Sequence, residues 1–484
     1  MGPTQAQQHL ARSHAHEEDI PGTVNLQAQE GDDTALGQAL FPVPADDPND
    51  PLQWPNWKKT TILVLLSFYS FLGNSALLGP SIYSKEFGIS PTTASNLIWY
   101  PNLIYGFGSL LLVPAYLKFG RRPVMLVSMT MYVFGLLGAS RAHSYGGLMA
   151  ARLVHALGSG VCEALPVQLL AFAAALLVLS FIFVEETMYK RDTGQTSSNS
   201  SDSSDKDVGE KMNAVERLQS VPVPPRKTFR KQLKVWSGID HSVSFFLTAG
   251  RSFTYFMVPS VLWVITSFGI YIGLGGLAFN YTFPIKIVAP PYNWSPENSG
   301  LIALGNVIGY GLAIPFTSTS DYLAARLTRK NNCIREAEMR LGVMLPAMVI
   351  GPIGLIVYGM VAQQNLHWIA YFAGVTMVDW ASYFHFTFAL AYSVDSYNAN
   401  TSEMLIAINL GKQAITFGMG FKLLDWILES GYANVIAGAF AVVLVLNNFA
   451  LLLFMWKGKS ICHFFSQTWL ARTHKKTIRA VETA

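Results

Sequence analysis

The chain has 484 residues, of which 51% are hydrophobic and only 13% are Asp, Glu, Lys or Arg. Soluble domains carry about 25% charged residues, so the composition excludes an ordinary soluble protein and indicates one that lies in lipid. The net charge is only +4 and no basic stripe is present, which excludes a nucleic-acid partner. The three cysteines lie far apart, so we expect neither a disulfide framework nor a metal site.

The N-terminal tail, residues 1–59, is acidic and polar, which predicts disorder up to its last few positions. Those positions contain Trp54, Trp57, Lys58 and Lys59, directly before an apolar run. Indole rings favour the headgroup zone of a bilayer, whereas ammonium groups stay in water. The end of the tail is therefore predicted to be an interfacial segment that leads into the membrane.

Apolar runs close to the 17–25 residues of a spanning helix follow this tail. They cover residues 60–83, 93–117 and 123–142 in the first half, and 257–283, 298–317, 341–362, 368–392, 403–427 and 432–456 in the second. A longer apolar stretch, 146–184, ends the first half. This pattern predicts an all-α polytopic membrane protein. Its parts are the tail (1–59), an N-terminal helical bundle (60–184), a cytosolic linker that is first Ser-rich and then basic (185–256), a C-terminal six-helix bundle (257–456) and a basic cytosolic tail (457–484).

The Lys and Arg residues between these runs determine the predicted orientation, because cytosolic loops carry an excess of positive charge. The linker 185–256 alone holds eleven of them, and the loops at 118–122 and 326–330 are also basic. Turns on the opposite side, such as 363–367, are nearly free of them. We therefore expect both termini in the cytosol, and we expect the plasma membrane to be the location.

Four short segments carry a family resemblance. Residues 108–123 read GSLLLVPAYLKFGRRP, 152–160 read RLVHALGSG, 320–326 read SDYLAAR and 47–54 read DPNDPLQW. They resemble the cytosolic loop signature, the fourth-helix motif, the second-half loop and the pre-helix segment of the major facilitator superfamily, in the form found in fungal drug:proton antiporter-like members. The resemblance covers residues 46–460, and it implies two bundles of six helices that transport a small organic substrate.

The resemblance also gives the two basic loops a role in gating. The candidates are Gly108, Lys118, Gly120, Arg121 and Arg122 in the first loop, and Asp321 and Arg326 in the second. A glycine lets two helices approach closely, and arginines can hold helix ends and acidic partners. The acid that the family has in the first loop is absent here. We therefore expect these residues to act as structural glue rather than in chemistry.

The stretch 146–184 departs from the family pattern. Residues 150–166 resemble the fourth family helix and residues 169–187 already resemble the sixth, so the region of the fifth is missing. As one helix, 146–184 would be about 58 Å long at about 1.5 Å per residue, against a hydrocarbon core of about 30 Å. A single net crossing keeps the basic linker inside. We therefore expect a major facilitator two-bundle fold with a shortened N-terminal half and about 10 spans instead of 12, either as an adapted fold or through a deletion in the gene model.

Ionisable residues inside spans are costly, so they are functional candidates. Asp379 and Lys412 lie at similar depth on successive helices, which predicts an ion pair or a proton site whose occupancy breaks that pair. His385 could relay a proton or only form hydrogen bonds, and we favour the second. The resemblance assigns Arg152 a cavity role in coupling, and Glu163 shares its helix nearer the cytosolic interface.

These features together predict a secondary active transporter, not an enzyme, that moves a small organic molecule by proton-coupled efflux through alternating access. Its partners would be the bilayer, the substrate and the proton gradient, with no cofactor. Aromatic residues such as Tyr83, Trp99 and Tyr281 would suit an amphipathic or cationic substrate by stacking, although membrane interfaces enrich the same residues. The alternatives are a proton-driven uptake carrier for an organic cation or nutrient, and a truncated membrane protein without transport activity.

Overall fold

The computed structural model describes residues 23–25, 54–74, 83–84, 87–159, 177, 179–181, 243–331, 334–396, 401–466 and 468. These residues are almost all helical. The α-helices of the first half are α1 Asn56–Asn74, α2 Pro91–Phe119, α3 Arg121–Ser140 and α4 Tyr145–Gly158. Those of the second half are α5 Phe245–Thr254, α6 Pro259–Ile270, α7 Ala278–Val288, α8 Ala303–Ala313, α9 Thr319–Lys330, α10 Leu345–Gln364, α11 Ile369–Phe384, α12 Leu390–Ser396, α13 Thr401–Gly420, α14 Leu423–Ser430 and α15 Ala441–Ser466.

Short 3-10 and π-helical segments connect several of these helices. The 3-10 segments are Tyr255–Met257, Pro296–Ile302, Ile314–Phe316 and Ala337–Met344, and the π-helical segments are Tyr271–Leu277, His385–Ala389 and Ala433–Phe440. The first two π-helical segments are continuous with the α-helices on both sides. As a result, α6 with α7 and α11 with α12 each form one long helical unit, interrupted by a wider turn of a kind that often occurs at functional sites.

Two three-residue strands are the exception to the all-α prediction. β1 Thr23–Asn25 pairs antiparallel with β2 Ile334–Glu336, and Thr23 lies opposite Glu336. β1 belongs to the tail, whose composition predicts disorder. Because Thr23 and Val24 are β-branched, they favour the extended backbone that this pairing needs. The pairing attaches a piece of the tail to the loop between α9 and α10.

Six helical stretches of the described residues are long and apolar enough to cross a membrane. They are Thr92–Phe119, Arg121–Ser140, Pro259–Val288, Asn298–Lys330, Ala337–Gln364 and Ala433–Phe465. All six coincide with apolar runs predicted as spans. The total of about 10 spans stays a prediction, because it also depends on the runs 60–83, 146–184, 368–392 and 403–427.

The helix α2 has a defined start and a defined end. It begins after Ser90, whose Oγ accepts a hydrogen bond from the Thr93 N–H at 3.1 Å. It ends at Gly120, whose φ of 100° is rarely adopted by residues with a side chain. Since α3 begins at the next residue, Gly120 turns the chain and places Arg121 and Arg122 in the first turn of α3.

Glycines let the helices of each half pack closely. A Cβ at Gly135 of α3 would lie 2.6 Å from the backbone of His155 of α4. In the second half, a Cβ at Gly354 of α10 would lie 2.8 Å from the Gly374 carbonyl oxygen of α11. Real Cβ atoms essentially never approach other atoms within 3.0 Å, so any larger residue would push these helices apart. Each half is therefore a closely packed bundle.

The two halves meet along α2 and α13, which run in opposite directions. The Tyr116 hydroxyl near the end of α2 lies 3.5 Å from Ser402 Oγ at the start of α13. Nearer the middle of both helices, a Cβ at Gly106 would lie 3.2 Å from the Gln413 Cβ. Close approach along most of α2 makes this pair a principal contact between the bundles.

The helix α8 has one packed face and one open face. Its packed face lies against α11, where a Cβ at Gly309 would lie 2.8 Å from the Thr376 carbonyl oxygen. Its other face, together with the adjoining turns, exposes large apolar side chains, namely Leu301, Leu304, Val307, Ile308, Leu312 and Ile314. We call these six residues the open face of α8.

Candidate functional site

Arg152 lies on α4 and is almost completely buried, with 9% of its surface exposed. Its Nη1 has no hydrogen-bond partner, and it forms no ion pair in the described part of the chain. Its electrostatic neighbours are Tyr83 and Tyr281 and the ring of His155, one turn further along α4. Because Tyr281 belongs to α7, this buried positive charge lies near the boundary of the two halves, and the described side chains place no anion beside it.

An aromatic stack lies next to this charge. The rings of Trp99 and Tyr281 have centres 5.1 Å apart and planes inclined by 14°. The Tyr281 hydroxyl donates a hydrogen bond to the Ser95 carbonyl oxygen at 3.0 Å. On the α13 side, Trp99 packs so tightly on Gly420 that a Cβ there would lie 2.1 Å from the indole ring. The stack therefore joins α2, α7 and α13.

A small cavity adjoins the stack and is lined by both halves. Its lining residues are Ser95, Trp99, Tyr281, Thr282, Gly420, Leu423 and Leu424. Its volume is about 10 Å³, which is roughly what one water molecule requires. The halves are therefore closed around this point.

Asp379 of α11 is the buried acid of the second half, with 4% of its surface exposed and no hydrogen-bond partner for Oδ2. The helix α8 passes directly over it, because a Cβ at Gly309 would lie 3.0 Å from the Asp379 Cβ. Asp379 thus lies under the packed face of α8, and the open face is on the other side of the same helix.

Lys412 of α13 does not form the predicted ion pair with Asp379 in this structure. Its Nζ lies 5.9 Å from the ring centre of Tyr105 on α2 and 6.0 Å from that of Phe268 on α6. No ion pair joins the two charges among the described side chains. Similar depth places two residues at one level of a membrane, but it does not determine the direction in which each helix points its side chain. Asp379 points towards α8, and Lys412 towards α2 and α6.

His385 opens the π-helical segment after α11 and is completely buried. Its Nδ1 lies 3.1 Å from the Ala381 carbonyl oxygen and its Nε2 lies 3.2 Å from Asn448 Oδ1. The Asn448 amide in turn donates to the Met348 carbonyl oxygen at 3.1 Å, and the Tyr271 ring centre lies 4.6 Å from that of His385. These contacts hold the His385 ring inside the second bundle, and its role as a hydrogen-bonding group rather than a proton relay stays a prediction.

In the first basic loop, Arg122 has a defined partner. It is buried, and its Nη2 donates a hydrogen bond to the Phe181 carbonyl oxygen at 2.7 Å. Arg122 therefore ties the start of α3 to the apolar segment that precedes the linker. Of the other candidates in this loop, Gly108 and Gly120 are buried, Lys118 is half-buried and Arg121 is exposed.

In the second loop, Asp321 forms an ion pair with Arg340, at 3.1 Å. The same arginine forms an ion pair with Asp395 at the end of α12, with Nε 2.7 Å from Oδ2. The basic character of the region after 326 was evident from the sequence, but the role of Arg340 as a clamp for two acids was missed. Arg326 is exposed, and Glu163 lies outside the described residues.

A second contact that the sequence reasoning missed joins the end of the linker to α13. Arg251 Nη1 of α5 lies 4.0 Å from Glu403 Oε1, and both side chains are largely buried. Glu403 lies in the first turn of its helix, where an acid is favourable for the helix dipole alone. No sequence signal therefore separated a pairing role from a capping role.

Helical bundles that enclose buried charged side chains have the arrangement of a membrane transport protein. A family model described as the Major Facilitator Superfamily matches residues 60–172. An uncharacterised MFS-type transporter of Schizosaccharomyces pombe is 22% identical, over 90% of this chain and 92% of its own length. The probable efflux pump mfs2 of Aspergillus flavus is 30% identical, over 31% of this chain and 35% of its own.

Among solved structures, the POT family transporter PepTSo has a TM-score of 0.49 and 13% identity, over 84% of this chain and 99% of that one. The family model and the fungal relatives support the assignment of this chain to the major facilitator superfamily, as a multi-pass membrane transporter. The resemblance is thus supported at the level of the superfamily. The drug:proton antiporter-like branch stays a prediction.

Proposed function

We propose that this chain is a secondary active transporter that moves a small organic molecule by alternating access. The supporting observation is that each half buries a charge with no ionic partner among the described residues, Arg152 in the first half and Asp379 in the second. A transporter needs groups whose interactions differ between its states, because only such differences shift the balance of conformations. Unpaired buried charges are groups of this kind.

Asp379 is the proposed proton site. An ionised carboxylate near the bilayer centre costs roughly 2.5–3.5 kcal/mol on translocon scales, and no described cation pairs with this one. Protonation removes that cost, so the carboxyl group passes between conformations in its neutral form. Coupling to protons follows if the ionised form is reached only when the site opens to water.

The proposed direction is efflux across the plasma membrane, with both termini in the cytosol. It is supported by the resemblance of the loop signature to fungal drug:proton antiporter-like members and by the name of the Aspergillus flavus relative. Proton-driven uptake of an organic cation or nutrient is the competing direction. Uptake would involve the same two bundles and the same proton site at Asp379, and it differs from efflux only in the direction in which the substrate moves.

We also propose that the fifth family helix is absent from this chain. The alignment with the Schizosaccharomyces pombe relative spans 546 residues, more than the 484 of the chain, so that relative has residues without a counterpart here. The halves of such transporters are parallel repeats related by an axis along the membrane normal. That axis exchanges α2, the second helix of one half, with α8, and it exchanges α13, the fifth helix of the other, with the fifth helix of the first half.

This symmetry predicts a specific packing partner for α8. Since α2 packs on α13, α8 should pack on the fifth helix of the first half. The open face of α8 is apolar and no helix of the described residues covers it, which supports the absence of that helix. A chain with one side of its bundle interface incomplete could also be inactive, and this is the second candidate for its function.

The deciding experiment is transport by the full chain in proteoliposomes with an imposed pH gradient. The probes are 1-naphthoate, 1-naphthamide and 1-naphthylmethylammonium, which share a ring system and differ in charge. The acid and the amine also redistribute passively across a bilayer with a pH gradient, so accumulation is counted as the excess over protein-free liposomes, and we expect such an excess for at least one probe. Asp379→Asn should abolish that accumulation and retain probe exchange, whereas Glu429→Gln, at an exposed acid, should behave like the wild type.

The outcomes separate the candidates. Accumulation driven in the opposite sense establishes uptake in place of efflux. If the wild type accumulates none of the probes, the transport-inactive candidate is right. If Asp379→Asn transports like the wild type, Asp379 is not the proton site.

The ten-span topology has its own test. With the three native cysteines replaced by serine, single cysteines at exposed Asn293, at Ser200 and at exposed Arg329 are treated with an impermeant maleimide on intact cells. We expect labelling at Asn293→Cys alone, and labelling of all three after permeabilisation. External labelling of Ser200→Cys would show that residues 146–184 cross twice, which would contradict both the ten spans and the missing helix.

A further inference from the structure

We propose that Arg152 binds the acid group of the substrate, and that the substrate class is an organic anion, an aromatic carboxylate. The proposal rests on the proposed transport function and adds to it the chemistry of the ligand. It is carried by the unpaired guanidinium and by the aromatic stack beside it, which lie together at the boundary of the two halves.

The first step is the charge. A guanidinium is always protonated and has five N–H donors, and burial of such a group without a partner is costly. Arg152 exposes 9% of its surface, its Nη1 has no acceptor, and the described side chains supply no carboxylate to it. Its electrostatic neighbours are two tyrosines and one histidine, which are neutral or positive. The natural complement of the site is therefore an anion that enters from outside the protein.

The second step is the geometry of recognition. The planar fork of arginine matches a carboxylate with two parallel hydrogen bonds. Trp99 and Tyr281 stack on each other across the two halves. Each ring therefore presents a flat apolar face near the charge when the halves separate, and flat rings bind other aromatic groups by offset or edge contacts. An acid attached to an aromatic body satisfies both features. An organic cation would instead meet an uncompensated positive charge, so aromatic stacking alone does not make this a cation site.

The third step is access. The cavity beside the stack holds about 10 Å³, roughly one water molecule, so no organic substrate fits it in this conformation. Its lining comes from α2 and the adjoining Tyr281, Thr282 and Gly420 of the second half. Separation of the two halves would enlarge it around Tyr281, which is an electrostatic neighbour of Arg152. The ligand therefore binds an open state and is enclosed when the halves close, which is the behaviour that alternating access requires.

The test is binding of the three naphthyl probes to the purified full chain, with affinity measured by equilibrium dialysis in detergent. We expect the wild type to bind 1-naphthoate more tightly than 1-naphthamide, and 1-naphthylmethylammonium most weakly. Arg152→Gln should weaken 1-naphthoate by about tenfold or more, the loss expected for a charge-assisted pair. The same change should leave the affinity for 1-naphthamide unchanged and should not lower the affinity for 1-naphthylmethylammonium. The control Arg141→Gln removes an exposed arginine and should leave all three affinities unchanged.

A variant that fails to fold is recognised by its melting temperature, and Arg152→Lys then carries the test. It retains the charge and loses the fork, so 1-naphthoate should weaken by less than in Arg152→Gln while the order of the probes stays the same. The proposal is overturned if the wild type prefers the cation, if it binds none of the probes, or if both variants weaken the acid and the amide equally. Accumulation of the cation under a pH gradient would preserve the proposed transport and overturn this inference. Binding that depends on Arg152 without any accumulation would support this inference and contradict the proposed transport.

Discussion

The two halves of the chain meet differently on the two sides of their interface. Along α2 and α13 the contact is close, with Gly106 against Gln413 and the indole of Trp99 against Gly420. Along α8 the packed face is covered by its own half, and no helix of the described residues lies on the open face. The pseudo-symmetry of the superfamily would make these two sides equivalent, and their difference is what the proposed absence of the fifth family helix predicts.

In a membrane protein, the absence of a packing contact can impair function without an equal loss of stability. Lipid tails are as apolar as leucine side chains, so no hydrophobic force acts between helices in the bilayer. Lipid can therefore cover the open face of α8 at little cost, although the same surface would cause aggregation in water. Alternating access, in contrast, requires each half to slide against the other on both sides. The missing contact should affect transport more than folding.

The largest expected difference between the sides concerns side-chain truncation. Leu410 of α13 faces α2 and is 7% exposed, whereas Val307 of α8 is 65% exposed. Leu410→Ala leaves a cavity between the halves and should cost about 2–5 kcal/mol. Val307→Ala removes no protein contact of comparable kind and should stay within about 0.5 kcal/mol. The melting temperature of the purified protein in detergent compares the two, and equal losses would show that the open face is covered by protein.

A smaller loss of stability is expected when a side chain on α13 is enlarged rather than truncated. A Cβ at Gly420 would lie 2.1 Å from the Trp99 ring, whereas nothing lies within 4 Å of a Cβ at Gly418. Gly420→Ala should therefore force α2 and α13 apart and cost about 1–3 kcal/mol. Gly418→Ala should be neutral or stabilise the helix by up to about 1 kcal/mol. The melting temperatures of the two variants test this difference. A lower melting temperature for Gly418→Ala than for the wild type would contradict the packing described for this side.

The sequence predicted the helices and loops well because those features depend on local composition. The six helical stretches that qualify as spans fall on runs found by apolar length alone, and the turn at Gly120 follows from the loop pattern around Arg121 and Arg122. Arg152 was also identifiable, since a charge in an apolar run is costly wherever its helix points.

The sequence could not predict which residues meet across helices. Spans that are apolar on all sides carry no periodicity that would show which face points inward. For this reason the sequence suggested that Asp379 and Lys412 form a pair, whereas the structure does not contain this pair. Arg340 and its two acids were missed for a related reason. Asp321 and Asp395 are 74 positions apart, and only the folded second bundle brings both to one arginine.

The smallest expected effect concerns one end of the contact between α2 and the second half. There, Thr92 Oγ1 of α2 donates a hydrogen bond to Asp425 Oδ1 of α14 at 3.1 Å. Thr92→Val removes this donor and leaves Asp425 with Lys422, at 3.6 Å. A hydrogen bond of this kind contributes about 0.5–1.5 kcal/mol, so its loss should raise the open population at this end by about two- to tenfold. The readout is the rate at which a maleimide labels Ser95→Cys, a buried position in the cavity lining, in a background without native cysteines. Thr93→Val is the matched control, because the Thr93 hydroxyl contacts Ser90 of its own helix start and no residue of the other half. Equal labelling rates in the two variants would show that opening does not proceed through this end of the α2 and α13 contact.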